Sequence, residues 1–306
     1  MSSTRSRRTV AILLATTALA AAEGATAWPG GSWPRAYTDA VGRKVTLPAP
    51  PARIVSLAPS VTEMLFALGL GDRVVGVTDF CRVPGGSPAV ARIGGLINPD
   101  LEKIVSVKPD LALATTSGNY LDDADRIARL GIPAYTFDTP SVEAVLGSID
   151  DLGRIAGVET AAASLTASLR ERLATVEKRV AGKPRPRVLF VIWGDPILAP
   201  GRGAFLNDAL ARAGAEPISS DAASRWVEYD LERIIASRID VILTVPDNRA
   251  FAESLASRPE WTPVPAVKSR RIHVVSDAIQ QPGPRIVEAI EEIAAILHPE
   301  PPSRSR

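Results

Sequence analysis

Sulfur and imidazole are nearly missing from this chain. Its 306 residues hold one cysteine, Cys81, and two histidines, His273 and His298. A single cysteine excludes an internal disulfide and a cysteine-built metal cluster, and its ordinary state is that of a small buried hydrophobe. Two histidines leave little material for a zinc site or a histidine-based triad. An excess of charge is missing too. The formal net charge is +1, so bulk electrostatics point neither to nucleic acid nor to an acidic membrane surface. With 23% charged residues the composition is globular, too charged for a multi-span membrane protein. The length suits two domains of roughly 120–150 residues, each able to bury its own core.

The one apolar run of note lies at the N-terminus. Arg5, Arg7 and Arg8 precede an apolar stretch from Thr9 to Ala22, and Ala25-Thr26-Ala27 supplies a small-residue cleavage pattern. The stretch is too short to span a bilayer stably, and the order of parts is that of an export signal over residues 1–27. Ser6-Arg7-Arg8 also fits a twin-arginine signal. No cysteine follows that could carry a lipid anchor. A soluble periplasmic protein is the expectation.

From there strand and helix patterns alternate. After a Gly- and Pro-rich extension (28–45), strands are expected at Ile54–Leu57, Val74–Val77, Leu111–Ala114 and Ala134–Phe137. A helix from Thr62 to Leu68 is expected to open on a capping box, Ser60 with Glu63. Further helices are expected at Leu101–Val107 and Leu121–Leu130. The alternation restarts at Arg187, with strands at Val188–Ile192, Val241–Leu243 and Ile272–Val275, and helices at Phe205–Ala213, Leu231–Ser237 and Arg285–Leu297. Such alternation predicts parallel, helix-covered sheets. Between the halves, Glu159 to Ala181 has no Pro or Gly, and Leu165, Leu169, Leu173, Val176 and Val180 recur on one helical face. At 1.5 Å per residue that helix spans roughly 35 Å, enough to run along two lobes. The expected layout is a first lobe at 46–157, a bridging helix at 158–183, a second lobe at 184–299 and a tail at 300–306.

The halves carry a duplicate. Asp100-Leu101-Glu102-Lys103-Ile104-Val105 is matched by Asp230-Leu231-Glu232-Arg233-Ile234-Ile235, and Lys108, Asp110 and Leu113 align with Arg238, Asp240 and Leu243. The offset stays constant without gaps, which marks a repeated unit. Asp100 and Asp230 suit N-cap positions. Glu102 and Glu232 then point outward near the helix N-termini. Two accounts stay open on the residues alone: dipole complementarity, worth about 0.3–1 kcal/mol each, or a pair of acidic knobs for a two-fold symmetric partner.

Several stretches together resemble the helical-backbone periplasmic binding proteins that serve importers of cobalamin, haem and iron-siderophore complexes. They are Ala52–Glu63, Val74–Val77, Asn98–Ile104, Lys108–Leu111 and Pro282–Ala289. The order of motifs covers nearly everything from 40 to 298, and the cobalamin-binding branch is the nearest likeness. The resemblance implies an α/β fold of two Rossmann-like lobes joined by one long bridging helix, with a ligand cleft between them. It implies that Glu102 and Glu232 dock onto arginines of a dimeric ABC permease, and that the protein is a monomeric carrier rather than an enzyme.

For the ligand, the resemblance points to Phe80, Trp226 and Asp277, with Trp193, Arg202 and Gln281 as further cleft residues. Aromatic faces suit a flat, partly apolar ligand because they bury much area at small entropic cost. The sequence also departs from the cobalamin pattern. Leu96 and Thr115 stand where tryptophans are expected, and Gln281 where an arginine is. Cobalamin, a related corrinoid, and an iron-siderophore or haem chelate are therefore all carried forward, with no cofactor of the protein's own and no metal ligands. Trp261, in Pro-rich surroundings, reads as structural. Gly201-Arg202-Gly203 lacks the full spacing of a nucleotide fingerprint. An exported α/β enzyme is the contrasting class, but Ser60 has neither a G-x-S-x-G setting nor a nearby histidine.

Overall fold

The computed structural model describes residues 32–85 and 89–299. The expected export signal and the expected tail lie outside the described residues. The chain starts with a hairpin, β1 (Arg35–Thr38) and β2 (Lys44–Leu47). The first lobe follows as β3 (Ile54–Ser56), α1 (Pro59–Ala67), β4 (Val74–Val77), β5 (Ala91–Arg92), α2 (Leu101–Ser106), β6 (Leu111–Thr115), α3 (Leu121–Arg129), β7 (Ala134–Phe137) and α4 (Val142–Ala156). Its five strands form one parallel sheet in the order β5-β4-β3-β6-β7. These strands read as near-continuous apolar runs because helices cover the sheet.

The long helix α5 (Glu159–Val180) leads into the second lobe. That lobe comprises β8 (Arg187–Val191), β9 (Trp193–Gly194), β10 (Ile197–Pro200), α6 (Phe205–Arg212), β11 (Glu216–Pro217), β12 (Trp226–Tyr229), α7 (Leu231–Ala236), β13 (Val241–Thr244), α8 (Arg249–Ser254), α9 (Pro265–Lys268), β14 (Ile272–Val274) and α10 (Ile286–Leu297). Four strands form a parallel sheet, β11-β8-β13-β14, and β12-β10-β9 form a separate antiparallel one. The second sheet and α4 are absent from the sequence-based expectation.

The helix α5 packs on α4 of the first lobe and on α6 and α10 of the second, so it ties the two lobes together as its length predicts. Leu169, Leu173, Val176 and Val180 of its apolar stripe are buried. Gly153 of α4 is what lets α5 approach: a Cβ there would stand 2.3 Å from the Cβ of Ala162.

The capping box at α1 does not form. Ala58 is the N-cap and its side chain has nothing to offer; Pro59 takes the first helical position and Ser60 lies inside the helix. Proline is pre-set for that position, so it moves the helix start upstream and carries Glu63 out of reach of the cap. Cys81 is buried as expected, with the hydroxyls of Thr62 and Thr78 each 3.1 Å from its sulfur.

The duplicate is reproduced in detail. Asp100 and Asp230 are N-caps, accepting from the N–H of Lys103 at 3.1 Å and of Arg233 at 2.7 Å. Both helices end before a left-handed residue, Lys108 and Arg238, each with φ 47°. Asp110 and Asp240 then accept the main-chain N–H of Arg53 at 2.9 Å and of Arg187 at 2.8 Å. The guanidinium groups of those two arginines close over the C-terminal carbonyls of α2 and α7.

Candidate functional site

Between the lobes lies a cavity of about 670 Å³, in the range that holds small ligands. The first lobe contributes Glu63 and Phe66 of α1 and the loop carrying Phe80 and Arg82. The bridging helix contributes Leu165, Leu169 and Arg172. The second lobe contributes Asp247, the segment from Asp277 to Arg285, and Glu288 of α10. Three of the expected ligand residues, Phe80, Asp277 and Gln281, thus face one space from opposite lobes. Phe80 is 66% exposed, so its ring is free to meet a ligand in the cavity.

The other three stand elsewhere. Trp193, on β9, is exposed and its indole N–H donates to the carbonyl of Asp195 at 2.8 Å. Trp226 opens β12, opposite Pro200 of β10. Arg202 is exposed, with its main-chain N–H bound to Ala222 at 2.9 Å. None of them lines this cavity. Trp226 does sit next to a second contact between the lobes, because Arg225 pairs with Asp138 at 3.2 Å. Trp261 is buried and meets Phe251 edge to face, the structural role expected of it.

The cavity wall holds more charge than the sequence reading anticipated. Arg82 reaches across to Asp277 at 2.7 Å, Arg172 binds Glu291 through two hydrogen bonds of 2.9 and 2.7 Å, and Arg285 lies 3.4 Å from Glu288. Every arginine on the wall is therefore already engaged by a carboxylate. Glu63 is held differently: its carboxylate accepts the main-chain N–H of Arg285 at 2.7 Å, from one lobe to the other. Burial pushes the Glu63 carboxyl above the usual carboxylate range, and the Arg285 amide only partly offsets this. Glu63, Arg82, Arg172 and Arg285 were missed as site residues. The signal for Glu63 was the helix start itself: with proline at the first helical position, an acid four residues on has no local cap to make. Among the described residues no group of three or more His, Cys, Asp or Glu side chains is placed to hold a metal ion.

The family model described as periplasmic binding protein matches residues 54–278, both lobes and the helix between them. The chain belongs to this family. Relatives of the binding protein span nearly all of it. An uncharacterized ABC transporter substrate-binding lipoprotein of Bacillus subtilis, YvrC, is 34% identical over 277 residues, 88% of this chain and 87% of the relative. A vitamin B12-binding protein of Vibrio cholerae is 25% identical over 251 residues, 82% of this chain and 90% of the relative. Among solved structures, the periplasmic haem-binding protein RhuT of Roseiflexus sp. RS-1 superposes with a TM-score of 0.71 at 25% identity, covering 80% of this chain and 97% of that one. The binding protein is thus an extracytoplasmic substrate-binding component of the ABC transporter class, and its two-lobed fold is that of the family.

Proposed function

We propose that this periplasmic binding protein captures cobalamin or a related corrinoid in the cavity between its lobes and delivers it, unchanged, to a dimeric ABC permease. The observation that carries the reading is the cavity itself, with Phe80 on one lobe facing Asp277 and Gln281 on the other. An aromatic face with hydrogen-bonding groups opposite suits a broad ring bearing amides. The likeness to a vitamin B12-binding protein supports the same ligand class.

A haem or iron-siderophore chelate is the second reading, favoured by the likeness to a haem-binding protein. The wall argues against an anionic chelate. Its arginines are paired with internal carboxylates, so their charge is already balanced and the wall offers an anionic ligand no uncompensated cation. An amide-bearing corrinoid makes no such demand. Mass spectrometry of the molecule retained by protein purified from its native periplasm tests this: a corrinoid supports the reading, a haem or ferric siderophore overturns it.

Delivery is assigned to Glu102 and Glu232. The duplicated helices α2 and α7 place them in equivalent first turns, one on each lobe, each after an aspartate N-cap. Such a spacing of equal charges suits a two-fold partner, where rim charges set register and on-rate more than affinity. Reversing both to lysine is expected to abolish transport while ligand affinity stays within about twofold, since neither touches the cavity. Unimpaired transport by the double variant would dismiss the assignment. Export by a cleaved signal, by the general or the twin-arginine route, completes the proposal.

A further inference from the structure

Each lobe reaches across to cap a helix of the other. Glu63, from α1 of the first lobe, receives the N–H of Arg285, the residue that opens α10 in the second. Asp208, from α6 of the second lobe, receives the N–H of Val142 at 2.8 Å, the first residue of α4 in the first. In both cases the acid lies on the first helix of its lobe and the capped helix closes the opposite lobe. The ion pairs repeat the exchange. Asp277, after the last strand of the second lobe, takes Arg82 of the first; Asp138, after the last strand of the first, takes Arg225 of the second.

The two halves of this exchange differ in one respect. Glu63 lines the cavity and Asp208 does not. The approach to Glu63 is also specially prepared: a Cβ at Gly283 would fall 2.9 Å from its Oε1 and 3.1 Å from its carboxyl carbon. Any larger residue at 283 would have to push the carboxylate aside. Gln281, Pro284 and Arg285, on either side of that glycine, are themselves cavity wall.

Resting on the reading of this cavity as the ligand site, we propose that Glu63 is a positioning residue for ligand capture. By holding the Arg285 amide, it sets the 277–285 segment of the second lobe as a wall of the binding site. Three charged groups act on Glu63 from the facing lobe, Arg285 favouring its ionised form and Glu288 and Asp277 opposing it. A hydrogen bond to a charged acceptor has a net value that corresponds to about tenfold or more in an equilibrium, enough to be read residue by residue.

The test uses the full mature protein and hydrogen exchange of the 281–288 segment, without ligand. Glu63→Ala should speed exchange of the Arg285 amide by about tenfold or more, and Glu63→Gln, whose amide oxygen still accepts, should restore most of the protection. Gly283→Ala keeps the carboxylate but pushes its Oε1 away from the amide, so it should speed exchange in the same direction as Glu63→Ala and serves should the latter not fold. Wild-type protection in Glu63→Ala, or in Gly283→Ala used in its place, overturns the proposal. Titration with cyanocobalamin and with haemin then supplies the ligand arm: Glu63→Ala should weaken binding of the probe the wild type takes by about tenfold, and equal affinity in variant and wild type overturns the positioning role. Wild-type protein that binds neither probe counts against the ligand reading alone, because the exchange result stands without it.

Discussion

Glu63 shows how much a single carboxyl can report. Its burial raises the native carboxyl above the unfolded value, so the folded chain holds that proton more firmly than the unfolded one. The stability this group contributes is therefore full at low pH and is lost as pH rises through the raised native value. Glutamine cannot titrate. The stability of Glu63→Gln relative to wild type should improve as pH is raised from about 4 to about 8, across and above the ordinary glutamate value. Thermal melts at several pH values check this, and a gap that stays constant would mean the carboxyl is not desolvated. Phe80 offers a second reading at the same scale. As an exposed ring on the cavity wall it contributes little to folding, so Phe80→Ala should leave the melting temperature nearly unchanged while weakening ligand binding by more than about 1 kcal/mol. Calorimetric titration with the native ligand measures it; unchanged affinity would remove Phe80 from the site.

Among the elements, α4 and α5 pack closely at Gly153. Gly153→Ala places a methyl group 2.3 Å from Ala162. Helix propensity alone would favour alanine by about 1 kcal/mol, whereas overpacking costs about 1–3 kcal/mol. The clash should win, giving a lower urea midpoint than wild type; a higher midpoint would show that α5 moves aside freely. The same scale shows what could be read from the residues. The apolar runs at Val74–Val77 and Ala134–Phe137 are strands as expected, because a parallel sheet covered on both faces leaves an unbroken apolar signature. The long stripe of α5 and the repeat at Glu102 and Glu232 were legible for the same kind of reason, regular spacing. The helix α4 was not singled out, although Val142, Val145, Leu146, Ile149 and Leu152 are all buried on it, since Gly147 and Gly153 interrupt the pattern of good helix formers. The strand β9 has only two residues and β10 ends in a proline, so neither carries a clear pattern, while β12 alternates exposed and buried residues and was passed over. For the cavity, family likeness led to Phe80, Asp277 and Gln281. Glu63 meets Arg285 across 222 residues, Arg82 meets Asp277 across 195 and Arg172 meets Glu291 across 119, and no local pattern records such contacts.

For the molecule as a whole, the bridging helix runs unbroken for 22 residues and is gripped by both lobes. Arg172 of α5 holds Glu291 of α10 through paired hydrogen bonds, and Arg170 pairs with Glu143 of α4. Between the lobes runs this continuous helix, with a single glycine near each end, Gly157 and Gly182. Ligand binding should therefore change the radius of gyration by less than about 1 Å, far below the closure of proteins that hinge on flexible strands. Small-angle scattering with and without ligand measures it, and a large compaction would mean α5 bends.

That stiffness has a consequence for letting go. A carrier that clamps shut by swinging on a hinge can release its cargo by swinging back, at a small thermal cost. Here α5 leaves the walls little room to move, so little of a ligand's interaction free energy would be diverted into rearrangement. Unloading then requires mechanical work from outside, a partner that pries the lobes apart against α5 and the crossed helix caps. The rigid spine that would spare a ligand the cost of closing the walls would also leave its release to work done from outside.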